Sequence, residues 1–195
     1  MIHQHGTLDQ IGIEEIPVPQ VQVGEVLIEA KAVALNHLDL FVLEGIPGID
    51  QQMPHVLGSD AAGVVLKLGS GVEDFQVGDR VMLNPGLWCE RCEFCQTGEQ
   101  SLCIRYRLVG EHVSGVFSEY FAVPSKNLAK IPETVTFEQA AAFSLVTQTA
   151  WRMLQNRGRL RSGEDVFIHG IGGGVATAAF GIAKLLGARV FVSSS

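Results

Sequence analysis

The chain has 195 residues, enough for one or two domains of ordinary size. Its 14 lysines and arginines against 21 aspartates and glutamates give a formal net charge of −7, and no block of like charges occurs. This acidic balance argues against nucleic acid as a partner. Hydrophobic residues make up 47% and charged residues 18% of the chain, which is typical of a globular protein and excludes a disordered one.

The sequence indicates neither a membrane span nor a secretory signal. Its longest stretch without Asp, Glu, Lys or Arg, from Val166 to Ala183, approaches the ~18 residues of a span, but four clustered glycines indicate a turn instead. The opening MIHQHGTLDQ lacks a basic segment followed by an apolar one. We therefore expect a cytoplasmic protein without membrane association.

Short apolar runs alternate with Gly and Pro turn residues over Ile11–Val123, which predicts an antiparallel β domain. After Pro132 the chain is rich in Ala, Leu and Gln, and Thr136 with Gln139 forms a Thr-x-x-Gln signature that predicts a capped helix. VFIHG, VATAAFGIAKLLG and ARVFVSS then predict a short buried strand, a helix that stops at Gly187, and a second strand. These three elements form one βαβ unit.

All four cysteines are clustered as Cys89-x-x-Cys92-x-x-Cys95, followed by Cys103. Four thiolates on a short loop can surround one zinc ion at about 2.3 Å each, and they leave no open position for a substrate. Two disulfides or four free thiols are the alternatives, but disulfides conflict with a reducing cytosol. We predict one structural Zn²⁺ on a lobe of residues 85–105.

A glycine-rich turn separates the two predicted elements VFIHG and VATAAFGIAKLLG. Gly172, Gly173, Gly174 and Val175 lie where backbone N–H groups and the helix dipole can hold a diphosphate. The strict G-x-G-x-x-G pattern is not met, because Ile171 stands at its first position. A tight turn that packs a helix without any ligand is the alternative. The order strand, turn, helix, strand favours dinucleotide binding.

Several motifs in order resemble the medium-chain dehydrogenase/reductase superfamily, which includes zinc alcohol dehydrogenases and quinone oxidoreductases. They are the cysteine lobe, the preceding VLGSDAAGVVLKLGSGVEDFQVGDRV and the following GIGGGVATAAFGIAKLLGARV. The resemblance implies an α/β fold class with a large β domain: a GroES-like β-barrel catalytic domain, residues 1–145, followed by an incomplete Rossmann-type parallel sheet domain, residues 146–195. It also implies an NAD(P)-dependent oxidoreductase whose substrate binds in the cleft between the domains.

The chain departs from the zinc alcohol dehydrogenases at the three places where they bind a catalytic metal. Their Cys-x-x-Asp, Gly-His-Glu and third-cysteine segments correspond here to Asn36-His37-Leu38-Asp39, Gly58-Ser59-Asp60 and the cysteine-free FSLVTQT. The usual ligand set is therefore absent. The Asn36 segment resembles the metal-free quinone and enoyl reductase branch, although Phe41 stands where that branch often has Tyr.

We assign catalytic roles to Asn36, His37 and Asp39. Asn36 is the candidate for a hydrogen bond near the nicotinamide or the substrate oxygen, with a turn residue as the alternative. Asp39 is expected to orient His37, which approaches the coenzyme diphosphate or relays a proton, unless both are ordinary loop residues. Three other polar residues lack metal-ligand spacing and are expected at the surface or in the cleft: His55, Glu111 and His112.

The favoured function is hydride transfer from NAD(P)H to an activated double bond or carbonyl of a small molecule, such as a quinone or an enone. A zinc-dependent alcohol dehydrogenase with replaced ligands (His37, Asp39, His55 or Asp60) and a non-catalytic coenzyme-binding module stay open. No motif identifies the substrate. We expect the full-length protein to be a homo-oligomer.

NADP(H) is favoured over NAD(H) as the coenzyme. An NAD-specific unit ends its second strand with Asp or Glu, whereas Ser193, Ser194 and Ser195 stand there, and hydroxyls can donate to a 2′-phosphate. Thr147, in FSLVTQT, is a further candidate coenzyme contact. A Rossmann sheet has about six strands and only two are evident, so we expect a part of a longer enzyme that alone binds coenzyme poorly and turns over nothing.

We predict one zinc ion per chain, bound by the four cysteines. Loss of the ion should disorder the loop, because metal binding and local folding are coupled, and Cys95→Ser should destabilise the protein and promote aggregation. Elemental analysis of protein purified without chelator tests this prediction. Two zinc ions per chain would favour the alcohol dehydrogenase hypothesis, and none would exclude the structural site.

Overall fold

The computed structural model describes residues 1–194 as two compact units that divide between Ala142 and Phe143. Apart from short 3-10 turns, the first unit contains β1 (Glu25–Ala34), α1 (His37–Glu44), β2 (Asp60–Leu68), β3 (Arg80–Leu83), β4 (Gly86–Leu87), α2 (Glu93–Gln96), β5 (Arg107–Leu108), β6 (Tyr120–Pro124), β7 (Leu128–Lys130) and α3 (Phe137–Ala141). The second contains α4 (Ser144–Trp151), a π-helical turn (Arg152–Arg157), β8 (Asp165–Ile168), α5 (Gly174–Leu185) and β9 (Arg189–Val192).

The boundary between the two units falls three residues before the predicted limit of 145, because α4 begins at Ser144 and packs on α5.

An antiparallel sheet of order β6-β1-β2-β3-β7 organises the first unit, and the strands β4 and β5 form a separate pair. The sheet buries an apolar cluster whose fully enclosed members include Val26, Ile28, Val65 and Leu83. The strands of the predicted β domain begin at Glu25. Residues 11–22 form no strand, and Pro17 and Pro19 in this segment have no N–H to donate to a ladder.

The second unit is a βαβ unit, as predicted. β8 and β9 pair in parallel, with Asp165 opposite Arg189, and α4 and α5 pack around the buried Ala150. The prediction of a buried strand is wrong for β8. Side chains alternate between the two faces of a strand, and the face that carries Asp165 and Phe167 is exposed, whereas Ile168 faces the helices' apolar cluster.

Two of the predicted helix signals are confirmed. The Thr136 hydroxyl accepts the Gln139 N–H at 3.2 Å, and the Gln139 side chain accepts the Thr136 N–H at 3.0 Å, which is a reciprocal capping box. Gly187 follows α5 with φ +78°, a left-handed conformation that favours glycine and ends the helix. None of the helices within residues 1–194 has the length and hydropathy needed to cross a bilayer.

Gly63 is required by the close approach of β1 to β2, whereas Gly181 is not constrained by its surroundings. A Cβ at Gly63 would lie 2.1 Å from the backbone oxygen of Glu29, and a Cβ at Gly181, on the exposed face of α5, would meet no atom within 4 Å. We predict that Gly63→Ala lowers the free energy of unfolding by about 2 kcal/mol. Gly181→Ala should raise it by about 0.5–1 kcal/mol. Urea unfolding followed by circular dichroism measures both, and an unchanged Gly63→Ala variant would contradict the prediction.

Candidate functional site

The four cysteines come together in the excursion between β4 and β5. Their sulfur atoms all lie within 4.8 Å of one another, with distances of 3.5 Å for Cys92–Cys95 and 4.0 Å for Cys89–Cys95. They are not joined by disulfides. Four sulfurs held at about 2.3 Å from one ion would lie about 3.8 Å apart, so this group, completed by Cys103, fits a tetrahedral zinc ion.

Backbone N–H groups surround the sulfurs and favour their ionised form. The N–H groups of Cys89 and Arg105 each donate to Cys103 Sγ at 3.3 Å. The N–H of Cys95 lowers the pKa of the Cys92 thiol to about 6, whereas burial raises the pKa of the Cys95 thiol to about 12. The backbone N–H of Cys95 thus favours the thiolate of Cys92, the form that binds zinc.

Asn36 precedes α1 and is held by two carboxylates. Its backbone N–H donates to Asp39 Oδ2 at 2.7 Å, and its carbonyl oxygen accepts the Asp39 N–H at 2.9 Å. Its side-chain Nδ2 donates at 3.0 Å to Oδ2 of Asp60, the buried first residue of β2. These contacts fix both the backbone and the side chain of Asn36.

Asp39 and His37 do not form the contact expected from the sequence. Residues two positions apart on a helix project in different directions, so the buried Asp39 carboxylate turns back to Asn36, whereas the exposed His37 ring packs edge-on against Phe41 with centroids 4.8 Å apart. Burial raises the pKa of the Asp39 carboxyl, and the nearby N–H groups of Asn36 and Gly58 reduce this effect.

His55 and Ser59 connect the chain before β2 to the segment that follows the cysteine lobe. The buried Ser59 hydroxyl donates to the Val109 carbonyl at 2.7 Å, and His55 Nε2 lies 3.1 Å from the Gly110 carbonyl. The expectation that His55 lies at the surface or in a cleft is wrong, since it is 2% exposed. It is enclosed because His55 and Ile2 exchange both backbone hydrogen bonds.

Glu111 and His112 are half-buried, and His112 has a structural contact. Its Nδ1 accepts the Leu108 N–H at 3.2 Å and lies 3.5 Å from Glu111 Oε1. Within residues 1–194, the four cysteines are the only group of three or more potential ligands close enough to share a metal ion. The residues considered as replacement ligands belong to no such group among the described residues: His37, Asp39, His55 and Asp60.

The glycine-rich turn has the geometry of an anion site. Gly173 precedes α5 in an extended conformation, and no acceptor within residues 1–194 pairs with the N–H groups of Gly174 and Val175 in the first turn. A Cβ at Gly172 would meet no atom within 4 Å. The space beside a helix N-terminus with free N–H groups fits the diphosphate of a nicotinamide coenzyme.

Gly174 also has a packing role, as the alternative of a tight turn that packs a helix without any ligand requires. A Cβ there would lie 3.2 Å from Cγ1 of Val146, so the absence of a side chain lets α5 approach α4 closely. Thr147, the next residue of α4, is half-buried.

Ser193 stabilises the turn rather than offering a free hydroxyl. Its Oγ accepts the Gly170 N–H at 3.2 Å and lies 2.7 Å from His169 Nδ1, and its carbonyl accepts the Ile171 N–H. Ser194 is exposed. Ser195, the third serine predicted to contact the coenzyme, lies outside the described residues.

Sequence analysis did not assign the role that the structure gives to Asp60, which holds the Asn36 side chain. The available signal is a single acidic residue at the start of the apolar run DAAGVV, because a carboxylate in a buried strand requires a polar partner.

An antiparallel β domain with a four-cysteine lobe, followed by a βαβ unit with a glycine-rich turn, defines the class as medium-chain dehydrogenase/reductase. The model of the alcohol dehydrogenase GroES-like domain matches residues 22–133. The chain belongs to this family and thus to the zinc-containing alcohol dehydrogenase superfamily.

Known relatives carry out more than one kind of redox reaction. The chain is 34% identical over 194 residues to an alcohol dehydrogenase of Schizosaccharomyces pombe, covering 97% of this chain and 54% of that protein. It is 36% identical over 179 residues to an acryloyl-coenzyme A reductase of Metallosphaera sedula, covering 91% and 53%. A crystal structure described as an NAD-dependent alcohol dehydrogenase matches with a TM-score of 0.96 and 44% identity, covering 100% of this chain and 57% of that one. The chain spans about half the length of these relatives.

The buried His55 predicts that stability falls in mild acid. Burial lowers its pKa below the ordinary 6.5, the hydrogen bond to the Gly110 carbonyl offsets a part of this effect, and His5 lowers the pKa a little further. Because the folded state favours the neutral ring, this contribution to stability is present above pH 6.5 and is lost as the pH falls through the folded pKa.

His55→Gln keeps a donor for the Gly110 carbonyl and removes the titration. We predict that the drop in Tm between about pH 7.5 and 5.5 is smaller in this variant than in the wild type. The matched control is His37→Gln, which replaces an exposed histidine whose ring contacts the uncharged Phe41, and it should leave the drop unchanged. An equal drop in His55→Gln and wild type would contradict the prediction.

Proposed function

We propose that the chain provides the catalytic domain and the first part of the coenzyme domain of an NAD(P)H-dependent reductase. Its substrate would be a small molecule with an activated double bond or carbonyl, such as an enone or a quinone, and zinc would bind only in the cysteine lobe. The observation that carries the proposal is the hydrogen bond from Asn36 Nδ2 to Asp60 Oδ2. It gives a fixed amide donor at the place where metal-dependent relatives need a thiolate ligand.

Asn36 would act as the donor to the substrate oxygen. A side-chain amide has two N–H protons, and donation of one to Asp60 leaves the other for a ligand. The oxygen of a conjugated carbonyl gains negative charge as hydride reaches the distant carbon, so a donor fixed in advance stabilises the transition state. Bound NAD(P)H supplies the hydride.

The glycine-rich turn would hold the coenzyme diphosphate through the N–H groups of Gly174 and Val175. We propose NADP(H) as the favoured coenzyme, since Ser193, Ser194 and Ser195 follow β9 and none of them carries a carboxylate that would repel a 2′-phosphate. Ser193 is hydrogen-bonded to the glycine-rich turn. Of the two serines after β9 that the structure describes, Ser194 is therefore the one whose hydroxyl could contact the 2′-phosphate. NAD(H) is the competing coenzyme, as named for the structural relative.

A zinc-dependent alcohol dehydrogenase is the second candidate, favoured by the names of several relatives. It requires a metal ion near Asn36. The polar groups there contact one another or the backbone, and Ser59 donates to Val109, so this part of the chain offers no soft ligand set. Reduction of a preactivated substrate therefore fits the residues better.

The test is steady-state oxidation of NADPH and NADH by the full-length protein with enones, quinones and aldehydes. We predict that Asn36→Ala lowers kcat by about ten- to a hundredfold and leaves zinc at one ion per chain. Asn156→Ala, which replaces an exposed asparagine in the second unit, is the matched control and should retain wild-type kcat. Alcohol oxidation that depends on a second zinc ion would overturn the proposal, and a higher kcat/KM for NADH would reverse the coenzyme assignment.

A further inference from the structure

Lys126 connects the cysteine lobe to the β domain. It lies in the 3-10 turn Ser125–Asn127 between β6 and β7, and its Nζ donates to the Trp88 carbonyl at 3.1 Å and pairs with Glu90 Oε2 at 2.8 Å. The same Nζ lies 5.0 Å from the centre of the Trp88 ring, within range of a cation–π contact. One side chain therefore binds the residues immediately before and after Cys89.

The next residue holds the chain that leads into the lobe. Asn127 is fully buried, and its Nδ2 donates to the carbonyl oxygens of Asn84, at 2.8 Å, and Gly86. Its own carbonyl accepts the Asn84 N–H at 2.7 Å. Two consecutive residues of the β domain thus fix residues 84–90.

Glu90 needs such support because of its backbone conformation. It has φ +63°, a left-handed value uncommon for residues other than glycine, in the tight turn between Cys89 and Cys92. The Lys126–Glu90 ion pair holds the side chain of the residue that makes the turn.

We propose that Lys126 is a positioning residue for the zinc site. By holding Trp88 and Glu90, it keeps Cys89 in the ligand group and slows the release of zinc from the lobe. Zinc leaves a four-thiolate site by losing ligands one at a time, and the Lys126 contacts restrain the residues on both sides of Cys89 and so oppose its movement away from the ligand group. Partners outside the ligand shell orient ligands in this way at other metal sites.

The chain contains a matched control for the chemistry of this contact. Lys130 pairs with Asp79 at 2.9 Å and lies 5.6 Å from the centre of the Phe75 ring, so it also combines a carboxylate with an aromatic face. It lies on β7 and contacts β-domain residues rather than the lobe. Loss of either lysine removes a similar ion pair, but only loss of Lys126 frees the neighbours of Cys89.

The experiment measures the rate at which zinc-loaded protein transfers its metal to a chromogenic chelator. Lys126→Met retains an apolar stem against Trp88 and removes the ammonium group, and we expect zinc transfer to be about tenfold faster. Glu90→Gln removes only the ion pair and should give a smaller increase. Lys126→Arg keeps a cationic donor and should restore a rate close to that of the wild type.

Lys130→Met separates positioning from general destabilisation. We expect it to release zinc at the wild-type rate, even where its Tm falls as much as that of Lys126→Met. Wild-type zinc release from Lys126→Met, or equal acceleration in Lys130→Met, would overturn the proposal. A folded wild-type protein that binds no zinc would overturn it as well.

Discussion

The pairing of β1 with β2 is the constraint on which the first unit depends. Its register places Ala34 opposite Asp60 and thereby brings the end of β1 close to the start of β2. Asn36, two residues beyond Ala34, can for this reason donate to Asp60. The close approach at Gly63 allows this register, since a Cβ there would collide with the Glu29 carbonyl.

The cysteine lobe is stabilised in a different way from the sheet. Between β4 and β5 it has one helix of four residues and one 3-10 turn, and its residues contribute little to the buried apolar clusters. Sulfur ligands, N–H groups directed at sulfur, and anchors from Lys126 and Asn127 replace a core. In a short loop of this kind, metal binding and these anchors offset most of the conformational entropy that the chain loses when it becomes ordered.

The two polar sites of the first unit, the cysteine lobe and the Asn36 region, differ in the chemical groups that they bring together. The lobe gathers four soft ligands, which close the coordination shell of zinc and leave no position for a substrate. In the Asn36 region the Asp39 carboxylate accepts the backbone N–H of Asn36, and the Asp60 carboxylate accepts its side-chain amide. The first arrangement suits a structural ion, and the second suits the orientation of a hydrogen-bond donor.

The sequence by itself determined the features that depend on local spacing. Cys89, Cys92 and Cys95 at intervals of three residues, with Cys103 close behind, predict a shared metal site because a short loop cannot separate them. Thr136 with Gln139 predicts the helix start, and the order of apolar runs with Gly187 predicts the βαβ unit, because capping and periodicity act over a few residues.

Only the tertiary structure decided the contacts between residues distant in sequence. Asn36 and Asp60 are 24 positions apart, and Lys126 and Trp88 are 38 apart, so no local pattern reports that they meet. The partner expected for Asp39 was His37, but helix geometry and burial gave it Asn36 instead. Nothing in the local sequence indicates that His55 is buried, and it is enclosed where its backbone pairs with that of Ile2. Burial and partnership depend on strand register across the whole domain, which a local pattern of residues does not specify.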